Sequence, residues 1–277
     1  MTVFVKSNNV QDKLTHDGNL NGYLLGNRPL RIKTEKKNME YLRDQSLILM
    51  PGLDGTGLSF EPFLKFIPED VNITAVRYPT DKLLSFEETV ECAAAQVAPG
   101  SPRIVIAESF SGPVAVQMIA SGRIKAKALV LCATFAKSPH PIIWSVIRFL
   151  RLPLLIRPEM PSLFFKIILG DDKLIASLVP LWKKVHADVP ARVMDHRMGL
   201  INRVDVTKSL KKLSLPCLYL QATDDRVVSS SCLTDFKRRI PHLVIKRIKA
   251  PHFILQARPQ ACLEAIEQFM SLTNQGK

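Results

Sequence analysis

Ile104-Val105-Ile106-Ala107-Glu108-Ser109-Phe110-Ser111-Gly112-Pro113-Val114-Ala115 is an apolar, β-like run that breaks on a serine among small residues and restarts as a helix. It predicts a strand, a sharp turn and a helix, with Ser109 at the apex. Small residues two before and two after the apex, here Ala107 and Ser111, let the strand and the helix pass closely. Of all the serines in the chain, only Ser109 has Gly, Ala or Ser on both sides at that spacing. Such a serine is either a turn or N-cap residue or a hydroxyl held out for chemistry, and the surrounding sequence has to decide.

Outward from this stretch, strand and helix signals alternate. Ser46-Leu47-Ile48-Leu49-Met50 is a short continuous apolar run ending at Pro51-Gly52, as expected of a strand covered on both faces. Residues 71–78 alternate in their first half and stop at Pro79, predicting a second strand. Ser85-Phe86-Glu87-Glu88 has capping-box spacing, followed by Val90, Ala93, Ala94 and Val97 at helical intervals. Further strands are predicted at 128–133, 216–221 and 243–248, with helices over about 110–120, 230–239 and 259–270. This rhythm implies a mostly parallel sheet with helices on both faces. Before residue 45 the chain is polar and irregular, and the short runs at 23–25 and 30–33 fit early antiparallel edge strands.

Between residues 135 and 213 the rhythm changes to a helical, bulky and basic segment, with apolar runs at 142–150, 163–169 and 174–184. Arg148, Arg151, Arg157 and Lys166 interrupt these runs well before the roughly 20 residues a bilayer requires. The organisation expected is a core of residues 1–134 and 214–277 carrying a helical cap insertion, 135–213. Such a lid turns one face toward the substrate, so part of its apolar surface is expected to line a pocket.

The composition, 47% hydrophobic and 23% charged over 277 residues, suits one large core. The five cysteines lack CxxC pairs or metal-type spacing, and their odd number argues against a full disulfide framework. The first residues lack the basic start and sustained apolar run of a signal peptide, so a cytoplasmic location is expected. A formal charge of +13 fits attraction to an anionic membrane surface, an acyl carrier or an acidic substrate. No zinc-finger or RNA-recognition signature accompanies it, and nucleic acid is not an expected partner.

A serine hydroxyl becomes a nucleophile only with a base in hydrogen-bond reach and a carboxylate to hold that base. Of six histidines, His252 alone follows the last predicted strand in a short loop, at the carboxyl end of the sheet where ligands bind in open α/β folds. The loop after the preceding strand, Leu220-Gln221-Ala222-Thr223-Asp224-Asp225-Arg226-Val227-Val228, offers Asp224 and Asp225. Ser109, an aspartate and His252 in this chain order resemble the α/β-hydrolase superfamily of serine hydrolases. That resemblance implies an α/β-hydrolase fold. Its usual Gly-x-x-Asp-x-x-Val matches 222–228 with Asp225 as the acid. Ala222 stands for the usual glycine, which leaves Asp224 as an alternative.

Leu49-Met50-Pro51-Gly52-Leu53-Asp54-Gly55-Thr56-Gly57 follows the first parallel strand and has neither phosphate-binding spacing, GxGxxG or GxxxxGK[ST]. By the resemblance, the oxyanion-hole donors are the backbone amides of Leu53 and Phe110. The string Pro-Gly-Leu-Asp-Gly-Thr-Gly is similar to that of a subgroup containing plant phytyl ester synthase-like acyltransferases and related bacterial hydrolases. Asp54 and Thr56 either touch substrate or hold the turn by side-chain to backbone hydrogen bonds. Glu108 has no assigned chemistry.

The expected function is hydrolysis of a carboxylic ester or thioester with a medium or long acyl chain, through an acyl-enzyme on Ser109. The alternatives are acyl transfer to an alcohol and a non-catalytic ligand-binding protein of the same fold. No metal or organic cofactor is expected.

Overall fold

The computed structural model describes residues 39–43, 45–100, 102–139, 166, 170 and 172–275. The expected edge strands near 23–25 and 30–33, and the expected helices over 142–150 and, apart from Lys166, 163–169, lie outside the described residues.

Six strands form one parallel sheet: β1 (Ser46–Met50), β2 (Asn72–Ala75), β3 (Arg103–Glu108), β4 (Ala126–Cys132), β5 (Cys217–Ala222) and β6 (Leu243–Ile248), in the order β2-β1-β3-β4-β5-β6. The described helices are α1 (Glu40–Arg43), α2 (Glu61–Leu64), α3 (Phe86–Ala95), α4 (Ser111–Ala120), α5 (Asp172–Asp188), α6 (Ala191–Arg203), α7 (Thr207–Leu210), α8 (Leu233–Arg239), α9 (Ile254–Ala257) and α10 (Pro259–Gln275).

The central strands read as continuous apolar runs because both faces are covered, and the period-2 alternation of side chains divides them between two cores. Ile48, Met50, Val105, Ala107, Leu129 and Leu131 join one core with Val90 of α3, Val114 of α4, Leu210 of α7 and Phe236 of α8. Leu47, Leu49, Ile104, Ile106, Ala128 and Val130 join the other, with Phe63 of α2, Leu255 of α9 and Ile266 of α10. β6 closes one edge and alternates, with Val244 40% exposed. The capping box is formed at α3: Glu88 N–H donates to Ser85 Oγ, and Ser85 N–H donates to Glu88 Oε2 at 2.7 Å.

After β4 the chain leaves the sheet and returns at Cys217. Helices α5 and α6 carry apolar faces of their own, and Leu200, Ile201, Val204, Val206 and Leu210 rejoin the first core. Among the described residues, no helix is long and apolar enough to cross a membrane.

Ile106 is fully buried in β3, so Ile106→Ala should cost about 2–5 kcal/mol in urea unfolding. Leu272→Ala, at a side chain 58% exposed, should stay within about 0.5 kcal/mol of wild type.

Candidate active site

β3 ends at Glu108 and α4 begins at Ser111, so the chain reverses within two residues. Ser109 makes the turn with φ +49°, in the left-handed region that costs an L-residue roughly 1–2 kcal/mol. Three hydrogen bonds hold it there. Ser109 N–H donates to Cys132 O (3.0 Å), while Ser109 O accepts from Gly112 N–H (3.0 Å) and from Thr134 Oγ1 (2.5 Å). Gly112 makes the last bond possible, since a Cβ there would lie 2.0 Å from Thr134 Oγ1. Thr134 is fixed in turn by Tyr219, whose hydroxyl donates to Thr134 O at 2.5 Å.

Ser111, where the common motif has glycine, is fully buried and does more than stay small. Its hydroxyl donates to Pro51 O, tying the elbow to the loop after β1. Tyr78 Oη lies 2.6 Å from Ser111 Oγ and donates the second hydrogen of this chain. The Tyr78 ring meets Phe110 edge-on, with centroids 5.8 Å apart.

The sheet brings Ser109, His252 and Asp225 together. His252 Nε2 is 2.9 Å from Ser109 Oγ, and His252 Nδ1 is 2.9 Å from Asp225 Oδ2. Asp225 Oδ1 accepts from the Val227 and Val228 amides, both at 2.8 Å, so one oxygen closes its own loop and the other faces the imidazole. Asp224 is exposed, and its side chain accepts from Thr223 Oγ1 instead. The two loops are joined where Asp224 N–H donates to Ala250 O at 3.0 Å.

Along the loop after β1, five successive carbonyls are engaged. Pro51 O accepts from Ser111 Oγ, Gly52 O from Gly55 N–H, Leu53 O and Asp54 O from Arg197 Nη1, and Gly55 O from Tyr78 N–H. Among the described residues no peptide is cis, so each N–H points opposite the carbonyl of its own peptide plane. Fixing Gly52 O therefore fixes the direction of Leu53 N–H. Among the described residues no hydrogen bond uses Leu53 N–H or Phe110 N–H. A Cβ on Gly52 would stand 3.9 Å from Ser109 Cβ, which places this loop beside the serine. Asp54 Oδ2 accepts from Thr56 N–H and Thr56 Oγ1, and Thr56 Oγ1 accepts from Leu58 N–H, so both side chains hold the turn.

Leu53 packs with Leu58, Trp182 and Met198 against Val185, Val189, Val193 and Met194, whereas Phe253, next to His252, packs against Leu174, Leu178 and Leu181. α5 thus contributes apolar side chains to the two clusters that hold Leu53 and Phe253.

Two buried groups set the local electrostatics. Burial, the largest influence on His252, disfavours its charged form, but the charge and hydrogen bond of Asp225 and the charge of Glu108 outweigh it and raise the imidazole pKa above 6.5. Glu108, beneath the elbow, is pushed up to about 7 by burial, although a hydrogen bond from Gln256 Nε2 at 3.1 Å favours its charged form. Glu108 Oε1 and Gln256 Oε1 have no hydrogen-bond partner among the described residues.

Thr134, Gly112, Tyr78 and Arg197 belong to this site but escape a reading of the sequence alone. The available signal for Arg197 is its place in an apolar helical stripe of Val193, Met194, Leu200 and Ile201.

This fold and this arrangement of side chains define a hydrolase of the α/β-hydrolase superfamily. Residues 85–253, more than half of the chain, match the family described as Serine aminopeptidase, S33 (Hydrolase_4), and the chain belongs to that family. Solved structures share the fold at low identity. An esterase from Exiguobacterium antarcticum aligns with a TM-score of 0.69 and 12% identity, over 82% of this chain and 92% of its own. An enol-lactonase from Burkholderia xenovorans LB400 aligns at 0.64 and 12%, over 82% and 91%. A bromoperoxidase from Bacillus anthracis aligns at 0.70 and 15%, over 82% and 92%. No curated protein matches the sequence.

Glu108 gives a stability signature. Its carboxyl titrates near 7 folded against an ordinary 4.5, so the folded state binds the extra proton between these values and its contribution is lost as pH rises through about 7. The melting temperature of Glu108→Gln minus that of wild type should therefore rise between about pH 5 and pH 8. A flat difference in thermal scans would contradict the raised carboxyl.

Proposed function

We propose that the protein hydrolyses a carboxylic ester or thioester through an acyl-enzyme on Ser109. The observation carrying this reading is the unbroken relay from Ser109 Oγ to His252 Nε2 and from His252 Nδ1 to Asp225 Oδ2, each link 2.9 Å. His252 takes the Ser109 proton as Oγ attacks the carbonyl carbon, and Asp225 stabilises the imidazolium formed. The carbonyl oxygen becomes an oxyanion received by the amides of Leu53 and Phe110. As the intermediate collapses, the carbonyl re-forms, the bond to the alkoxide or thiolate breaks, and His252 protonates that leaving group. Water, deprotonated by His252, then attacks the acyl carbon; as this second intermediate collapses the bond to Ser109 Oγ breaks, His252 returns the proton to Oγ, and the acid leaves.

Residues 135–213 serve as a cap between core segments 1–134 and 214–277 in this reading. The apolar side chains of α5 against Leu53 and Phe253 support a medium or long acyl chain. The names of structurally similar proteins, an esterase and an enol-lactonase among them, favour ester chemistry. All five cysteines are free thiols, which supports a reducing compartment such as the cytoplasm. The Pro51–Gly57 string keeps its similarity to phytyl ester synthase-like acyltransferases, and assay products with and without an added alcohol separate transfer from hydrolysis.

A fluorophosphonate probe should label wild type and not Ser109→Ala; equal labelling, or none, would sink the proposal. On p-nitrophenyl esters, activity should rise with acyl length beyond acetyl. Because His252 must be neutral to act as base, the acidic limb of kcat/KM should fall at a pKa above 6.5, with activity increasing as pH rises through it. Asp225→Asn should lower kcat by about 10⁴-fold, the scale seen when the orienting carboxylate of a triad is lost.

A further inference from the structure

Arg197 is 5% exposed, yet no carboxylate lies within ion-pair distance of it among the described residues. Its guanidinium is spent on the main chain instead. Nη1 donates to Leu53 O (3.0 Å) and Asp54 O (2.6 Å), and Nη2 donates to Pro79 O (2.9 Å). The face of Tyr78 lies 5.7 Å from Cζ. A buried charge that forms no ion pair is a poor means of stabilisation, since an apolar side chain of similar volume commonly does as well. The loop is nevertheless shaped around it. Gly55 has φ +68°, and a Cβ there would come within 2.5 Å of Nη1, so both its conformation and its missing side chain admit the guanidinium.

We infer that Arg197 is a positioning residue of the oxyanion hole, reaching from α6 to lock the Leu53 and Asp54 carbonyls and thereby aim the Leu53 amide. This rests on the acyl-enzyme reading above. Leu53 N–H belongs to the peptide just before the carbonyl that Arg197 grips, and Ser111 holds Pro51 O on the other side. The intervening peptide is therefore clamped at both ends. Three carbonyls occupy the fork of Arg197, which leaves it directed at the loop and not at substrate. A lysine offers one ammonium and no planar fork, so it cannot reproduce contacts to Leu53, Asp54 and Pro79 together.

The test uses Arg197→Lys and Arg197→Met with a p-nitrophenyl ester, and a phenylboronic acid that forms a tetrahedral adduct on serine. Loss of a well-aimed oxyanion donor typically lowers kcat by about 10²–10³-fold. Arg197→Met should approach a loss of about 10²-fold and Arg197→Lys should lose at least about tenfold, with KM changed less than about threefold. Boronate affinity should fall in parallel with kcat, which a merely structural role would not produce. If Arg197→Met fails to fold, Arg197→Lys decides, because it keeps the charge and most of the packing. A folded Arg197→Lys with kcat within about twofold of wild type overturns the inference, as does a rise in KM with kcat unchanged. These outcomes leave the acyl-enzyme reading standing if wild type still labels at Ser109. A wild type that neither labels nor turns over ester overturns both.

Discussion

The site depends on a single left-handed residue at the end of a buried strand. Ser109 follows Glu108, which is still in register with Cys132 of β4, and its amide extends the ladder to Cys132 O before the chain turns. Its conformation costs roughly 1–2 kcal/mol, while each hydrogen bond holding it is worth about 0.5–1.5 kcal/mol. β4 and the residues after it are therefore as much part of the elbow as β3. Ala133, itself at φ +45°, carries Thr134 to the position from which its hydroxyl caps Ser109 O. Once the turn is fixed, Ser111 is buried beneath it and reaches Pro51, so the nucleophile's turn and the loop for the oxyanion are one hydrogen-bonded body.

Much of this architecture is visible in the sequence because it rests on local, periodic signals. Continuous apolar runs mark strands covered on both sides, and β1 and β6 occupy the very residues their composition indicates. The order serine, aspartate, histidine is visible because each of these residues follows a strand at the same end of the sheet. The motif spacing over 222–228 favours Asp225 but leaves Asp224 open, because both lie in one polar turn and only the chain fold shows Asp225 Oδ1 taking two amides while Oδ2 faces His252.

The supporting contacts are less legible for a different reason: their partners are far apart in the chain. Tyr78 and Ser111 are separated by 33 residues, Ser111 and Pro51 by 60, and Arg197 and Leu53 by 144. A small residue at position 111 satisfies the close-passage rule whether or not its hydroxyl is used. Arg197 breaks the apolar stripe of α6, a local irregularity that signals an unusual partner without naming it.

The buried charges around the elbow fit one another. Asp225 must be anionic to favour the imidazolium of His252, and its charge is the main influence opposing burial there. The charge of Glu108 adds to the rise of the imidazole pKa, so an ionised Glu108 leaves less free base at neutral pH. Burial shifts Glu108 toward its neutral form and limits this effect, although the carboxyl belongs to the residue adjoining the nucleophile. Arg197 is bound to loop carbonyls, which leaves the neighbouring amides free to meet negative charge. The two carboxyl groups near this histidine thus have different surroundings: Asp225 is hydrogen-bonded to His252 and to the Val227 and Val228 amides, whereas burial pushes Glu108 up to about 7.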